Sequence, residues 1–320
     1  MDAQIARTCV ASLFFLCLSN LAQASGPSIY VVNGGTSTIS VVDSTTNTIT
    51  ATISGFSQPR QDAENSAGTR LYVANAGNNT VSVVDLSQSP PVIAATLTGF
   101  NGSVGVAVNP SGTLVYVGNS STNTVSVFNA SNNTLTATIA GLTDPRYLAV
   151  SPDGARLYVS EDATNAVQVV STTTNTVTAT ITGFNAPKSL ALNPAGTLLY
   201  VVNESANTVS VVDTSTNTIT ATITGFQRPT GVAISSSGGL LYVADSSSNL
   251  VSVVDTSNNT ITATISGFSV PYGIALAPSS FPPPVPIPPS ALLMLTGLLL
   301  LFGWHRRRDN QGLTGLAARP

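Results

Sequence analysis

The chain has 320 residues, of which only 8% are charged and 42% are hydrophobic, with a formal net charge of −3. Between Ser25 and Ser280 six basic residues stand against twelve acidic ones, about −6, which disfavours a nonspecific grip on nucleic acid through phosphate neutralisation. His305 is the only histidine, and the two cysteines are Cys9 and Cys17, so the long middle of the chain holds no His-paired nucleophile and no His-ligated zinc or haem.

The opening has the plan of a secretory signal over residues 1–24. Arg7 precedes an apolar run from Val10 to Leu18, and Ala22-Gln23-Ala24 places small residues where a signal peptidase cleaves. Cleavage after Ala24 leaves a mature chain without cysteine, whose stability must come from packing rather than from disulfides.

Residues 25–280 are repetitive. Tyr-Val pairs begin at Tyr30, Tyr72, Tyr116, Tyr158, Tyr200 and Tyr242, spaced by 42, 44, 42, 42 and 42 residues. Within one unit, Ser189–Leu192, Leu199–Val202, Thr208–Val212 and Thr218–Ile223 read as four strands separated by turns rich in Asn, Ser, Pro and Gly. In the last of them Ile219, Ala221 and Ile223 alternate with Thr218, Thr220 and Thr222, the period of a half-buried strand. A four-stranded meander cannot hide both apolar faces alone, whereas stacking such units around an axis does so. The chain enters this region at the second strand of a unit, Ile29–Val32, and leaves it with a first strand, Gly273–Leu276. The two halves complete one unit. The expected fold is therefore all-β, a six-bladed β-propeller closed by its terminal strands.

The phrases that recur are Tyr-Val-x-Asn (Tyr200–Asn203), Asn-Thr-Val-Ser-Val-Val-Asp (Asn207–Asp213) and Ser-Pro-Asp-Gly (Ser151–Gly154). Over about 250 residues they resemble the YVTN family of β-propeller repeats, found in secreted and surface-layer proteins of bacteria and archaea. Better-known members have seven blades, which makes seven the alternative count.

Equivalent positions of successive repeats form rings in such a fold. At the start of the innermost strand the ring reads Arg60, Val104, Arg146, Lys188, Thr230 and Tyr272. Three cations near the mouth of a central channel are candidates for holding an anion; solvated strand ends are the simpler reading. Further along that strand, five units carry apolar pairs such as Val106 and Val108 or Leu190 and Leu192, while the remaining unit carries Asp62 and Glu64. Unpaired charge at inward positions is costly. The favoured expectation is a displaced, solvated strand, and the alternative is a pair held by a cation or by Arg60. Asp43, Asp85, Asp213 and Asp255, replaced by Asn129 and Ser171 in the other units, read as turn formers rather than as metal ligands.

After Ser280 the composition changes. Residues 281–290 are Pro-rich and read as an extended spacer. Residues 291–305 hold an apolar run, Ala291–Trp304, which as a helix is about 21 Å long, short of the roughly 30 Å hydrocarbon core unless its flanks contribute. Residues 306–320 form a basic tail. Arg306, Arg307 and Arg308 place that tail on the cytoplasmic side. Val285-Pro286-Ile287-Pro288, the apolar run and the arginines together resemble the PEP-CTERM class of sorting signals, with Ile287 where Glu is usual. That resemblance implies processing by an exosortase-like enzyme in bacteria that make exopolysaccharide; a plain membrane anchor is the alternative.

The sequence thus reads as an exported propeller, destined for the cell surface, extracellular matrix or periplasm, acting as a non-catalytic binding or structural module. The reading implies no cofactor. Its candidate partners are the processing enzyme, the membrane, and exopolysaccharide or other matrix components. Two alternatives stay open: a lactonase-like propeller enzyme, and a periplasmic binder of anionic polymers, single-stranded DNA or polysaccharide. Arg60, Asp62, Glu64, Arg146 and Lys188 are the candidate ligand residues.

Overall fold

The computed structural model describes residues 27–277. Ala22 and Ala24, the motif Val285–Pro288, the apolar run and Arg306–Arg308 all lie outside the described residues. Within them the chain forms 24 strands in six antiparallel four-stranded sheets, with no helix. The sheets follow one another as blades 2 to 6 in chain order. Blade 1 is composite: Pro271–Leu276 pairs with Ser28–Asn33, which continues into Thr38–Asp43 and Thr48–Ile53. Tyr30 lies opposite Ala275 and Val31 opposite Ile274. The expected six blades and their terminal closure are what the structure has.

Each blade repeats the same local solutions. The second strand ends in Asn33, Asn75, Asn119 or Asn203, whose buried amide nitrogen donates to a serine hydroxyl on the third strand, as from Asn203 to Ser210 at 2.8 Å. The same side chain's oxygen accepts the backbone N–H at the end of the loop before the inner strand, Asn185 at 3.1 Å in blade 5. The recurrent Tyr-Val-x-Asn is thereby a clamp between strand and loop, satisfying backbone groups that burial would otherwise leave orphaned. Blade 4 uses Glu161 with Gln168 for the task, and blade 6 uses Asp245 with Ser252. A second set of asparagines, at positive φ in the turn between the second and third strands, links neighbours: Asn207 of blade 5 accepts from the Arg228 amide of the next loop at 2.7 Å.

The turn aspartates behave as read. Asp43, Asp85, Asp213 and Asp255 each accept a backbone N–H two residues on, at 2.7 to 2.9 Å, and Asn129 does the same. The alternation seen in the outer strands is interrupted in all six blades by a bulge at one equivalent point, between Val211 and Val212 in blade 5. In five of the six blades a threonine hydroxyl there, Thr220 in blade 5, bonds to the carbonyl before the bulge, that of Val211, and the bulge bends the strand. Ile219 is left part-exposed as a result.

Six apolar clusters fill the six inter-blade spaces, built on tyrosines such as Tyr72, Tyr116, Tyr158 and Tyr200, all almost wholly buried. In five spaces the inner strand contributes a pair: Val106 with Val108, Leu148 with Val150, Leu190 with Leu192, Val232 with Ile234, Ile274 with Leu276. The space between blades 1 and 2 lacks that contribution, because the corresponding residues are Asp62 and Glu64.

Candidate functional site at the two ends of the axis

The six inner strands, Pro59–Glu64, Ser103–Val108, Pro145–Val150, Pro187–Leu192, Pro229–Ile234 and Pro271–Leu276, pack against one another in a ring around the axis. Their second residues meet at one end. Arg60, Val104, Arg146, Lys188, Thr230 and Tyr272 all line a single cavity of about 310 Å³, joined by Tyr147, Glu204 and Arg228. Internal alignment of the repeats therefore predicted a real ring.

Its charge differs from the expectation. Arg146 lies 2.9 Å from Asp144 and 3.7 Å from Asp162; Lys188 lies 2.6 Å from Asp162 and 3.1 Å from Glu204; Arg228 lies 2.7 Å from Glu204. Acid and base alternate in an arc over blades 4 to 6. The Lys188 and Glu204 side chains are only 12% and 16% exposed, so this part of the arc is well shielded from water. The pair to Arg228 is 60% exposed on the Arg side, where such contacts contribute under about 1 kcal/mol. Arg60 alone of the ring's basic side chains has no ion pair among the described residues. Its guanidinium lies over the Tyr272 ring, 4.2 Å from the centroid, a cation–π contact.

Two acids of that arc were legible and unread. Four residues after each repeat's tyrosine stand Gly34, Ala76, Ser120, Asp162, Glu204 and Ser246, and the two acids fall in the same consecutive blades as Arg146 and Lys188.

One residue further along the inner strands the axis is closed. Gln61 reaches from blade 2 past blade 3 to blade 4: its Nε2 donates to the Leu148 carbonyl at 3.0 Å, and its Oε1 accepts from the Val106 and Leu148 amides at 3.1 and 3.2 Å. Tyr147, equivalent to Gln61 in blade 4, is buried, and burial pushes its phenol far above the usual range. Truncating Gln61 to Ala leaves three buried backbone groups without partners, and we expect a loss of about 2–4 kcal/mol in guanidinium denaturation. A loss below about 0.5 kcal/mol, the range of an ordinary surface substitution, shows that water replaces the amide.

Beyond Gln61 the strands line a second cavity of about 240 Å³, walled by Val106, Val108, Leu190, Ile234 and their equivalents, and by Asp62 and Glu64. Here the displaced-strand expectation fails. Pro59–Glu64 is an ordered strand in register with its neighbour, Asp62 opposite Val73 and Glu64 opposite Leu71, and Asp62 is only 3% exposed. Backbone pairing and the close fit of its neighbours hold the strand in despite its charges. Nor does Arg60 hold the pair, being engaged with Tyr272 instead. All four carboxylate oxygens are buried without a hydrogen-bond partner. Burial raises Asp62 well above its ordinary value, and the nearby amides of Asp62 and Ala275 soften this without reaching hydrogen-bond geometry. Burial likewise raises Glu64 to about 8. Tyr30, facing them from blade 1, is pushed up to about 12 by burial and by the Glu64 charge.

The geometry defines a β-propeller repeat protein of six blades. The family described as "Lactonase, 7-bladed beta-propeller" matches residues 29–183, just under half of the chain, and the NHL repeat matches residues 226–254. No curated protein matches the chain. Among solved structures, the chain is similar to one from a nidogen/laminin complex (TM-score 0.68, 16% identity, covering 79% of this chain and 98% of that one). It is also similar to hydrazine synthase of Kuenenia stuttgartiensis (0.62, 19%, 78% and 86%) and to a functionally unknown protein of Desulfotomaculum acetoxidans DSM 771 (0.62, 17%, 78% and 98%). At these identities the likeness is one of fold.

Proposed function

We propose that this chain is an exported, non-catalytic binding module whose axial mouth holds an acidic sugar of an extracellular polysaccharide. One observation carries the reading: Arg60, stacked on Tyr272 at the rim of a 310 Å³ cavity, is the one ring cation without an acidic partner among the described residues. A guanidinium offers a paired fork to a carboxylate, and an aromatic face packs against a sugar ring. Arg146 and Lys188 serve here as partners of Asp144, Asp162 and Glu204, which weakens the single-stranded DNA alternative: a run of phosphates meets an arc already neutralised. The signal-like opening and the PEP-CTERM-like motif favour export, with an exosortase-like enzyme processing the chain near Pro286; mass spectrometry of the mature ends tests both.

Polygalacturonate is the probe for the mouth, with neutral dextran as control. We expect full-length protein to retain the acidic polymer and Arg60→Ala to weaken it about tenfold, about 1.4 kcal/mol. Equal retention of dextran, or indifference to Arg60→Ala, overturns the reading. The lactonase-family match over residues 29–183 favours a second one, hydrolysis of a lactone at the Asp62–Glu64 end. Turnover of a lactone that is lost in Glu64→Gln supports it.

A further inference from the structure

Asp62 and Glu64 present four carboxylate oxygens, buried and without partners, to a cavity of about 240 Å³ that every inner strand helps to line. No basic side chain balances them: the described groups that face the pair are each other and the neutral phenol of Tyr30. Their place in the repeat is filled by two apolar side chains in each of the five other blades, so the fold itself does not require acids there. An uncompensated carboxylate at such depth is strongly disfavoured, yet Asp62–Glu64 pairs in continuous register with the next strand. A bound cation resolves this tension, and the cavity supplies its route from solvent.

We propose that Asp62 and Glu64 form a site for a hard divalent cation of the calcium class, seated between blades 1 and 2 at the end of the axis opposite Arg60. The donors are oxygen only, since residues 27–277 hold no histidine or cysteine, which selects calcium or magnesium over zinc or copper. Two carboxylates on alternate residues of one strand give an irregular partial shell. Calcium tolerates such a shell, with water from the cavity completing it, whereas magnesium demands near-octahedral order.

The test uses full-length protein freed of metal with a chelator, at pH 8. Calcium chloride at about a hundredfold excess over its Kd is expected to raise the thermal midpoint by roughly 5–10 °C. Terbium, a calcium surrogate excited through tyrosine, is expected to luminesce and to be displaced by calcium. Both responses vanish in Asp62→Asn with Glu64→Gln, which keeps shape without charge and is expected to fold at least as well as the chelated protein. Both persist in Arg60→Ala, separating this site from the sugar-binding mouth. The proposal is overturned by a wild-type protein indifferent to both ions, by responses that survive the double substitution, or by a preference for magnesium.

Discussion

The thermal midpoint of chelated protein is expected to fall as pH rises from 5 to 9, and the double variant Asp62→Val with Glu64→Val to abolish that fall. Both carboxyls are raised in the folded protein, Glu64 from 4.5 to about 8 and Asp62 well above its 3.8, chiefly by burial. The folded state therefore keeps protons that the unfolded chain has released. Stability from this source is fully present below the unfolded values and is lost as pH climbs through the folded ones, by about 1.4 kcal/mol per proton and pH unit. Turn carboxylates such as Asp85, Asp213 and Asp255 are lowered by hydrogen bonds from neighbouring serines. They act in the opposite sense, favouring the folded state above about pH 4. Greatest stability without metal is thus expected near pH 5. At pH 8 the two valines relieve an unpaired buried charge and restore the apolar pair of the other blades. A gain of about 3 kcal/mol, or roughly 6–12 °C, is expected. An alkaline fall that survives in the variant has another source, and the pair is then not the weak point described here.

The second large effect concerns the glycines at the axis. A Cβ placed on Gly231 falls 1.8 Å from the Tyr272 carbonyl oxygen, and one on Gly105 falls 2.0 Å from that of Arg146. Both obstacles are backbone of the neighbouring inner strand, so no rotamer change relieves them. Gly231→Ala and Gly105→Ala must spread the ring, and each is expected to cost about 3 kcal/mol or more in guanidinium denaturation. Gly239→Ala is the control. Its nearest neighbour is the Ser237 hydroxyl at 3.5 Å, an ordinary contact, and a change within about 0.5 kcal/mol is expected. Neutral behaviour of Gly231→Ala and Gly105→Ala means a wider axis than six touching strands allow.

These residues also show how far the chain could be read before its coordinates. The repeat tyrosines, the Thr-rich outer strands and the split first unit fixed blade number and closure, because each recurs at a constant period and buries the same face. The mouth ring was found by the same logic, which also reaches Asp162 and Glu204 but was not carried to their position after the second strand. Gln61 was out of reach. A glutamine between Arg60 and Asp62 gives no sign that its amide spans three blades to Leu148. The Asp62–Glu64 strand was misjudged for a related reason. Local charge argued for expulsion, while the pairing of Asp62 with Val73 and Glu64 with Leu71, across the turn in sequence, outweighs it.

Because the strand at Pro271–Leu276 finds its partner in Ser28–Asn33, the first core segment made must wait for nearly the last. Until Leu276 has been delivered, the amides and carbonyls along one edge of Ile29–Val31 have nothing to bond, and the blade most in need of help borders the acid-bearing one. A terminal truncation only a few residues past Val270 should accordingly yield not a slightly weaker molecule but a sticky, unfinished arc, inviting another copy to supply the missing strand.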